Sequence, residues 1–519
     1  MIKSLCLILF NICFTWSCGS DQINTENPPP QEDKGELINI DVNTVYQTIE
    51  HFGASDAWSC QFVGNNWPLE KKDAIADLLF SKEVDASNNP KGIGLSLWRF
   101  NIGAGSAEQG SLSGINDEWR RAESFLQSDG TYNWDKQAGQ VWFAQAAKSR
   151  GVEKLLIFSN SPPVYITKNG KAHTTNGESN LVPEQFESFA TYLTTVIEGL
   201  QNKGLSVDYI SPMNEPQWDW KDGQEGTSFL NNEIAEIVRK LNQELESKSV
   251  STLIDVAEAG KINYLYENAD KFGRGNQIQD FFNSGSQNYI GDLSHYGHAI
   301  SGHGYFTTSP FSEAITMRKN LLQAIKNIPN LNFWMSEYCI LGDNGGEIDG
   351  NTRDLGINSA LYVARTIYND LVNSQATAWH WWLAVSPYDY KDGLVYIDYN
   401  KNNGQFYESK MLWALGNYSR FIRPGYQRIS MSSIQIGDNN KNFLFSGYKN
   451  PTTDELVVVL VNSGINSREI NLQSQNHPLK SRKAYITSAT KSLELFDLTE
   501  STNITIPGNS IVTIIYQKS

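Results

Sequence analysis

Cysteine is scarce in this chain, with five in 519 residues, so no dense disulfide framework holds the fold, and the length is ample to bury a core without one. Basic charge is in short supply as well: 42 Lys and Arg stand against 57 Asp and Glu, a net charge of −15. No cluster of Lys or Arg is visible, which opposes a role on DNA, RNA or an anionic membrane, because phosphate recognition needs concentrated positive charge. After the first residues no apolar run is long enough to span a bilayer. A Gly-rich phosphate loop after the first strand and an internal repeat of fixed period are both missing. What the chain has in quantity is aromatic side chains, 14 Trp, 23 Tyr and 23 Phe. Its size implies more than one domain, or one large barrel with an appendage.

The N-terminus places Lys3 before an apolar run from Leu5 to Trp16 and then Ser17-Cys18-Gly19. This reads as a secretory signal over residues 1–18. The junction resembles a bacterial lipoprotein cleavage site with Cys18 as the lipidated residue, although Trp16 departs from the small residue usual there. The expected location is outside the cytoplasm, as an outer-membrane lipoprotein of a Gram-negative bacterium, periplasmic or surface-exposed, touching the membrane only through its lipid. Residues 19–35 are polar, acidic and contain Pro28-Pro29-Pro30, the composition of a disordered tether. Cys60 and Cys339 then remain, as a possible pair or as two buried thiols.

From residue 51 onward short apolar strands alternate with amphipathic helices, the rhythm of successive βαβ units. Strands are expected at 51–54, 94–99, 154–160, 209–214, 252–258, 299–305, 332–337 and 377–383. The clearest helix places Phe186, Phe189, Ala190, Leu193, Val196, Ile197 and Leu200 on one face. Others are expected near 69–80, 134–150, 228–247, 262–283, 310–327, 356–373 and 408–421. Eight strands and eight helices give an α/β fold, a (β/α)8 TIM barrel over 51–424. A doubly wound open sheet is the rival, disfavoured by the missing Gly-rich loop. After Pro424-Gly425 the composition turns to Ser, Thr, Asn and β-branched residues, with strands expected at 442–448, 455–461, 484–487, 503–506 and 511–516. This predicts a β-sandwich over 425–519 that also takes a strand from residues 36–50.

Two of these strands run straight into glutamates. The fourth ends in Asn214-Glu215-Pro216, the seventh in Ser336-Glu337. Barrel active sites lie at the C-terminal ends of the strands, so the two carboxyls can meet across the mouth. Glycoside hydrolysis needs such a pair: one acid protonates the leaving oxygen while the other carboxylate attacks the anomeric carbon or activates water. For one glutamate taken alone, a solvated loop position is the plainer expectation.

These residues resemble the retaining TIM-barrel glycosidases, in particular glycoside hydrolase family 30. The resemblance rests on His51-Phe52-Gly53-Ala54-Ser55, Trp98-Arg99-Phe100-Asn101-Ile102-Gly103, Ser159-Asn160-Ser161-Pro162-Pro163, Asn214-Glu215-Pro216 and Ser336-Glu337. It implies a barrel with a side β-sandwich, Glu215 as general acid/base with a raised pKa, Glu337 as ionised nucleophile, and Asn214 as a donor to the sugar 2-hydroxyl. Arg99 can hold the nucleophile ionised, and Tyr305 can donate to the same carboxylate.

Sugar sites combine aromatic platforms with converging polar groups. Trp58 follows strand one and Trp218 follows Glu215. On strand eight, alternation puts Trp379 and Trp381 on one side and Trp382 on the other; Trp381 is expected to floor the subsite beside the cleaved bond, with Trp379 and Trp382 in the core. A competing metal reading starts from His295, His298 and His303, with His380 nearby, but that spacing matches no standard zinc signature. The simpler expectation is loop histidines with His303 contacting the sugar, and no cofactor. A second rival is a non-catalytic glycan-binding lipoprotein, which would need aromatics but not two placed glutamates.

Among substrates, family members that cut glucuronate-decorated xylan use a basic residue, notably arginine, after strand eight. Residues 383–400 here hold Lys391 and no arginine. The segments Asn160-Ser161-Pro162-Pro163-Val164-Tyr165 and Asn214-Glu215-Pro216-Gln217-Trp218-Asp219-Trp220 look closest to the endo-β-1,6-galactanases that act on arabinogalactan side chains. A neutral plant-type β-glycan is therefore expected, with β-1,6-glucanase, xylanase or β-xylosidase, and glucosylceramidase-like activities as alternatives.

Overall fold

The structure, a computed structural model, describes residues 35–517 apart from 438, 476, 480, 481 and 499–502. The signal, Cys18 and nearly all of the expected tether lie outside the described residues. Eight parallel strands close on themselves: His51–Ser55, Leu97–Ile102, Lys154–Ser159, Tyr209–Ser211, Leu253–Ala259, Tyr296–His303, Asn332–Tyr338 and Ala378–Ser386. They are barrel strands one to eight below. Closure comes from strand eight, which pairs with strand one (Phe52 opposite Trp379) and with strand seven (Trp334 opposite Ala378). Every residue of strands one, two and eight is buried, as expected where helices cover one face of a parallel sheet and the lumen the other.

The helices follow their apolar period. Phe186–Asn202 buries Phe186, Phe189, Ala190, Leu193, Val196, Ile197 and Leu200, the face the sequence predicts. One expectation fails: residues 262–283 are not one helix but a short turn, Ile262–Leu265, and a helix, Gln277–Phe282. Phe272-Gly273-Arg274-Gly275 divides them. Gly273 has φ +75, and a Cβ on Gly275 would approach Glu267 O to 2.7 Å, so helical side chains do not fit there.

Gly393–Ile397 pairs with strand eight and Phe406–Glu408 with Gly393–Ile397, extending the barrel sheet, and the other described strands form a nine-stranded, mostly antiparallel sheet. Glu36–Thr48 joins it as expected, antiparallel to Gln427–Ser432 and parallel to Arg468–Ser474. The latter two strands escape the sequence reading. Ile38, Ile40, Ile470 and Ile506 share a core with Phe443, Val458, Leu460 and Ile514, so the sheet folds over a single apolar interior. Its other face rests on the barrel helices: Gln47 Nε2 donates to Leu371 O at 2.6 Å, and Thr513 Oγ1 to Asn417 O at 2.8 Å.

At the C-terminal ends of the strands, long segments are tied to one another. The buried Glu225 accepts from Ala104 N at 2.9 Å, Ser106 N at 3.2 Å and Ser106 Oγ at 2.6 Å, which joins the segment after strand four to the one after strand two. Burial pushes its carboxyl up to about 7, against those hydrogen bonds. Cys60 and Cys339 are buried free thiols, one after strand one and one after strand seven, and do not pair.

Candidate active site

The backbone turns sharply where strand four delivers Glu215. That residue has φ +45, a left-handed conformation that costs roughly 1–2 kcal/mol for a side chain bearing Cβ. Three hydrogen bonds hold the turn. Glu215 N donates to Glu258 O at 2.9 Å and Trp218 N to Glu215 O at 2.9 Å, while Trp220 Nε1 donates to the same carbonyl at 3.2 Å. Glu337 sits within strand seven and is 3% exposed. Oxygen atoms of Glu215 and Glu337 and a ring nitrogen of His303 all lie within 4.8 Å of one another.

Glu337 is gripped from two sides. Arg99 Nη1 donates to Oε2 at 2.6 Å and Tyr305 OH to Oε1 at 2.9 Å. Burial raises its carboxyl above the ordinary value, while the charges of His303 and Arg99 oppose that rise. Arg99, wholly buried, also sends Nη2 to Asn214 Oδ1 at 3.1 Å and to Glu258 Oε1 at 3.0 Å. Its guanidinium carbon lies 3.7 Å from the centre of the Phe158 ring, a cation–π contact in a dry setting.

A third glutamate, which the sequence reading does not single out, ties the two together. Glu258 lies fully buried on strand five. Ser336 Oγ donates to its Oε2 at 2.5 Å, and His303 Nε2 lies 2.9 Å from the same oxygen. The other ring nitrogen of His303 is 2.8 Å from Glu215 Oε1 and 3.5 Å from Glu337 Oε1. Burial alone would neutralise the ring, but Glu337, Glu215 and Glu258 push its pKa up to about 10. It therefore carries both N–H groups at neutral pH and donates through both.

Deeper in the lumen, Asp255 is pushed up to about 8 by burial and by the charge of Glu258. Its Oδ2 lies 2.7 Å from Ser211 Oγ and 2.9 Å from Ser301 Oγ. Both serine hydroxyls are placed to donate to it, and Ser211 Oγ also lies 3.0 Å from Glu258 Oε1, which joins Asp255 to the same network.

Of the residues predicted from sequence, Glu215, Glu337, Asn214, Arg99 and Tyr305 meet in this cluster. His303 is there too, but its role is corrected. It is wholly buried with both nitrogens engaged by carboxyls, so it links Glu215 to Glu258 instead of touching a sugar. The tryptophans of strand eight also need correction. Trp381 is wholly buried, with Nε1 donating to Asp392 O at 2.6 Å and its ring against Tyr338 and Trp379. The tryptophan that turns toward the site is Trp382, whose ring centre is 5.9 Å from Arg99 Cζ and 5.4 Å from Trp58. Trp379 and Trp381 share the side toward the helices while Trp382 lies with His380 on the lumen side, so the expected alternation holds and it is the face assigned to the site that differs. Trp58 is 4% exposed and carries the Arg120 guanidinium 5.5 Å above its ring. Trp218 stands open at the mouth, 41% exposed.

The histidines of the metal reading do not converge. His295 Nδ1 is 3.0 Å from Thr252 O, His298 is exposed, and His380 Nε2 is 2.9 Å from His51 Nδ1. Among the described residues the group spaced to hold a metal ion is Glu215, His303 and Glu337. There the ring nitrogens of His303 already face carboxyl oxygens of Glu215 and Glu258.

A family model described as O-glycosyl hydrolase family 30 matches residues 35–396. Over 415 residues the chain is 24% identical to an endo-beta-1,6-galactanase of Hypocrea rufa, covering 76% of this chain and 77% of that protein. Over 520 residues it is 22% identical to a glucuronoxylanase of Bacillus subtilis, covering 98% and 94%. Among solved structures, a conserved exported protein from Bacteroides fragilis superposes with a TM-score of 0.86 at 33% identity, over 92% of this chain and 100% of that one.

Proposed function

The chain belongs to O-glycosyl hydrolase family 30, and from that membership we propose that it cleaves a β-glycosidic bond with net retention of configuration, Glu337 serving as nucleophile and Glu215 as acid and base. The observation that carries this reading is the approach of Glu215 and Glu337 to within 4.8 Å across the barrel mouth. Retaining pairs stand about 5–5.5 Å apart, inverting pairs about 6.5–9.5 Å.

In the first step an oxygen of Glu337 bonds to the anomeric carbon, the glycosidic C–O bond breaks, and the proton of Glu215 passes to the leaving oxygen. Water then attacks the anomeric carbon and gives its proton to Glu215, and the bond to Glu337 breaks to restore the carboxylate. Arg99 and Tyr305 fix the attacking carboxylate. Asn214 spends Oδ1 on Arg99, which leaves its Nδ2 as the donor to the sugar 2-hydroxyl, a bond that strengthens in the transition state.

The proposed substrate is a neutral β-glycan, with β-1,6-galactan first and endo action. Two things support this: the motif likeness around Asn160 and Glu215, and the match to a galactanase. Lys391, the cation that follows strand eight, donates Nζ to Asn351 O at 2.6 Å and Thr352 O at 3.0 Å, and is thus engaged by the protein itself. Action outside the cytoplasm from a lipid anchor at Cys18 belongs to the same proposal, supported by the leader sequence.

Digestion of β-1,6-galactan, β-1,6-glucan and xylan by the mature protein, with products sized over the first minutes, tests it. Oligosaccharides from galactan are expected. Monosaccharide alone contradicts endo action, and cleavage of xylan in preference to galactan contradicts the substrate.

A further inference from the structure

Two large aromatic rings are left open to solvent beside Glu215 and Glu337. Trp218 is 41% exposed and Phe306 is 50% exposed. Their planes are 9° apart and their centroids 6.5 Å apart. Each is coupled to one of the two carboxyls. Trp218 N donates to the Glu215 carbonyl at 2.9 Å, and Phe306 follows Tyr305, whose hydroxyl donates to Glu337.

Packing does not account for the pair, because a half-exposed ring forgoes much of the gain from leaving water. The backbone makes Phe306 harder still to explain by stability. Its φ is +58, where a bulky residue is an outlier costing on the order of 1–2 kcal/mol, and burial does not offset that cost. Its ring also depends on a glycine: a Cβ on Gly342 would stand 3.0 Å from Phe306 Cε1. A strained, exposed aromatic held against a glycine at the mouth of a site is the kind of outlier that points to ligand contact.

The surroundings indicate which ligand. Lys261 Nζ lies 5.6 Å from the Phe306 ring centre and 5.8 Å from that of Tyr264. A cavity of about 460 Å³ continues from Trp218 past Trp220, Lys261 and Tyr264. The acids beside it are already engaged, Asp219 by Lys271 at 2.7 Å and Asp270 by Tyr264 OH at 2.9 Å. Apolar ring faces with a hydrogen-bond donor at the edge match a pyranose, which offers C–H faces and hydroxyl rims.

We propose that Trp218 and Phe306 form the platform for the leaving-group side of the substrate, stacking the hexopyranose units beyond the cleaved bond, with Lys261 donating to their hydroxyls. The side follows from chemistry, since Glu215 protonates the leaving oxygen and the platform is built on its turn. This inference rests on the glycosidase reading above, and it makes endo cleavage a property of these two rings.

The test uses reducing-end-labelled β-1,6-galactotetraose, β-1,6-glucotetraose and xylotetraose, with the 2,4-dinitrophenyl β-glycosides of the three sugars as substrates that carry no leaving-group sugars. The wild type is expected to release its label first on products of two or more sugars. Trp218→Ala and Phe306→Ala should each lose at least about tenfold more kcat/KM on the tetrasaccharide than on the aryl glycoside, and shift the label toward monosaccharide. Phe306→Tyr, which keeps the ring, should keep the wild-type pattern. Equal losses on both substrates, or an unmoved cleavage position, overturn the platform and leave the glycosidase reading standing. Should the wild type hydrolyse none of the substrates, the glycosidase reading fails. Calorimetric titration with galactotetraose then decides the platform, and equal or absent binding by wild type and Phe306→Ala overturns it.

Discussion

Oε2 of Glu258 lies 2.9 Å from Nε2 of His303, and through this contact one buried carboxylate supports both Glu215 and Glu337. The imidazole passes the interaction to Glu215 at 2.8 Å. On the other side Arg99 bridges from Glu258 at 3.0 Å to Glu337 at 2.6 Å. Burial by itself would raise the Glu258 carboxyl, but the Arg99 charge and the His303 contacts prevail and hold it well below the usual carboxylate range. Glu258 touches none of the reacting atoms in the proposed mechanism; it is a positioning residue.

Replacing it is therefore predicted to act on the other two glutamates at a distance. In Glu258→Gln the His303 ring loses one of the charges that push its pKa up to about 10 against burial, so it deprotonates at lower pH. A kcat/KM loss of roughly 10- to 100-fold is expected, the scale of a misplaced catalytic group, together with an alkaline limb of the pH profile shifted to lower pH. An unchanged profile would show that Glu258 serves only to fill space.

Arg99→Lys keeps the charge but not the fork. A guanidinium reaches Glu337, Asn214 and Glu258 at once, which a single ammonium cannot do with the same geometry. Activity is expected to fall at least about 100-fold and stability by about 1–3 kcal/mol. Urea denaturation alongside steady-state kinetics measures both.

Stability itself should depend on pH through Asp255. Burial and the charge of Glu258 push its carboxyl up to about 8 in the folded protein, from an ordinary value of 3.8. Between those values the folded state keeps a proton that the unfolded state has lost, so stability falls as pH rises across that window. Asp255→Asn removes the titrating group and keeps an acceptor for the neighbouring serines. Its melting temperature should drop less than that of the wild type between pH 5 and pH 8. A parallel drop in both proteins contradicts the assignment.

Chelation provides a fourth check. With a proton on His303 in place of a cation among Glu215, His303 and Glu337, prolonged EDTA treatment and dialysis should leave hydrolysis unchanged. Lasting loss restored by a divalent metal would replace the two-carboxylate mechanism with a metal-assisted one.

The barrel is legible in the sequence because each strand is a short apolar run and each helix shows its own period, as at Phe186–Asn202. Glu215 and Glu337 are legible because apolar strands run directly into them. What escapes does so for local reasons. Asp255 and Glu258 are three residues apart and both reach into the same buried network, which strict alternation along a strand forbids. Glu258 has φ +49, and the pairing of strands five and six shifts register around it, so no period of two could have indicated it. On strand eight the alternation holds, but the lumen face belongs to His380 and Trp382 and not to Trp381, a choice of face that a period of two does not make. Phe306 reads as an ordinary loop residue, and only its exposure and backbone single it out. The broken segment after Ile262 was foreseeable, since Gly273 and Gly275 interrupt its helical pattern.

The central claim is a double displacement through Glu337, and the stereochemistry of the first product tests it most directly. Proton NMR of the anomeric region, recorded within the first minutes of hydrolysis of a β-linked oligosaccharide, reads the product before mutarotation. The account predicts that the β-anomer appears first and the α-anomer grows in only later; an α-anomer formed first would contradict it.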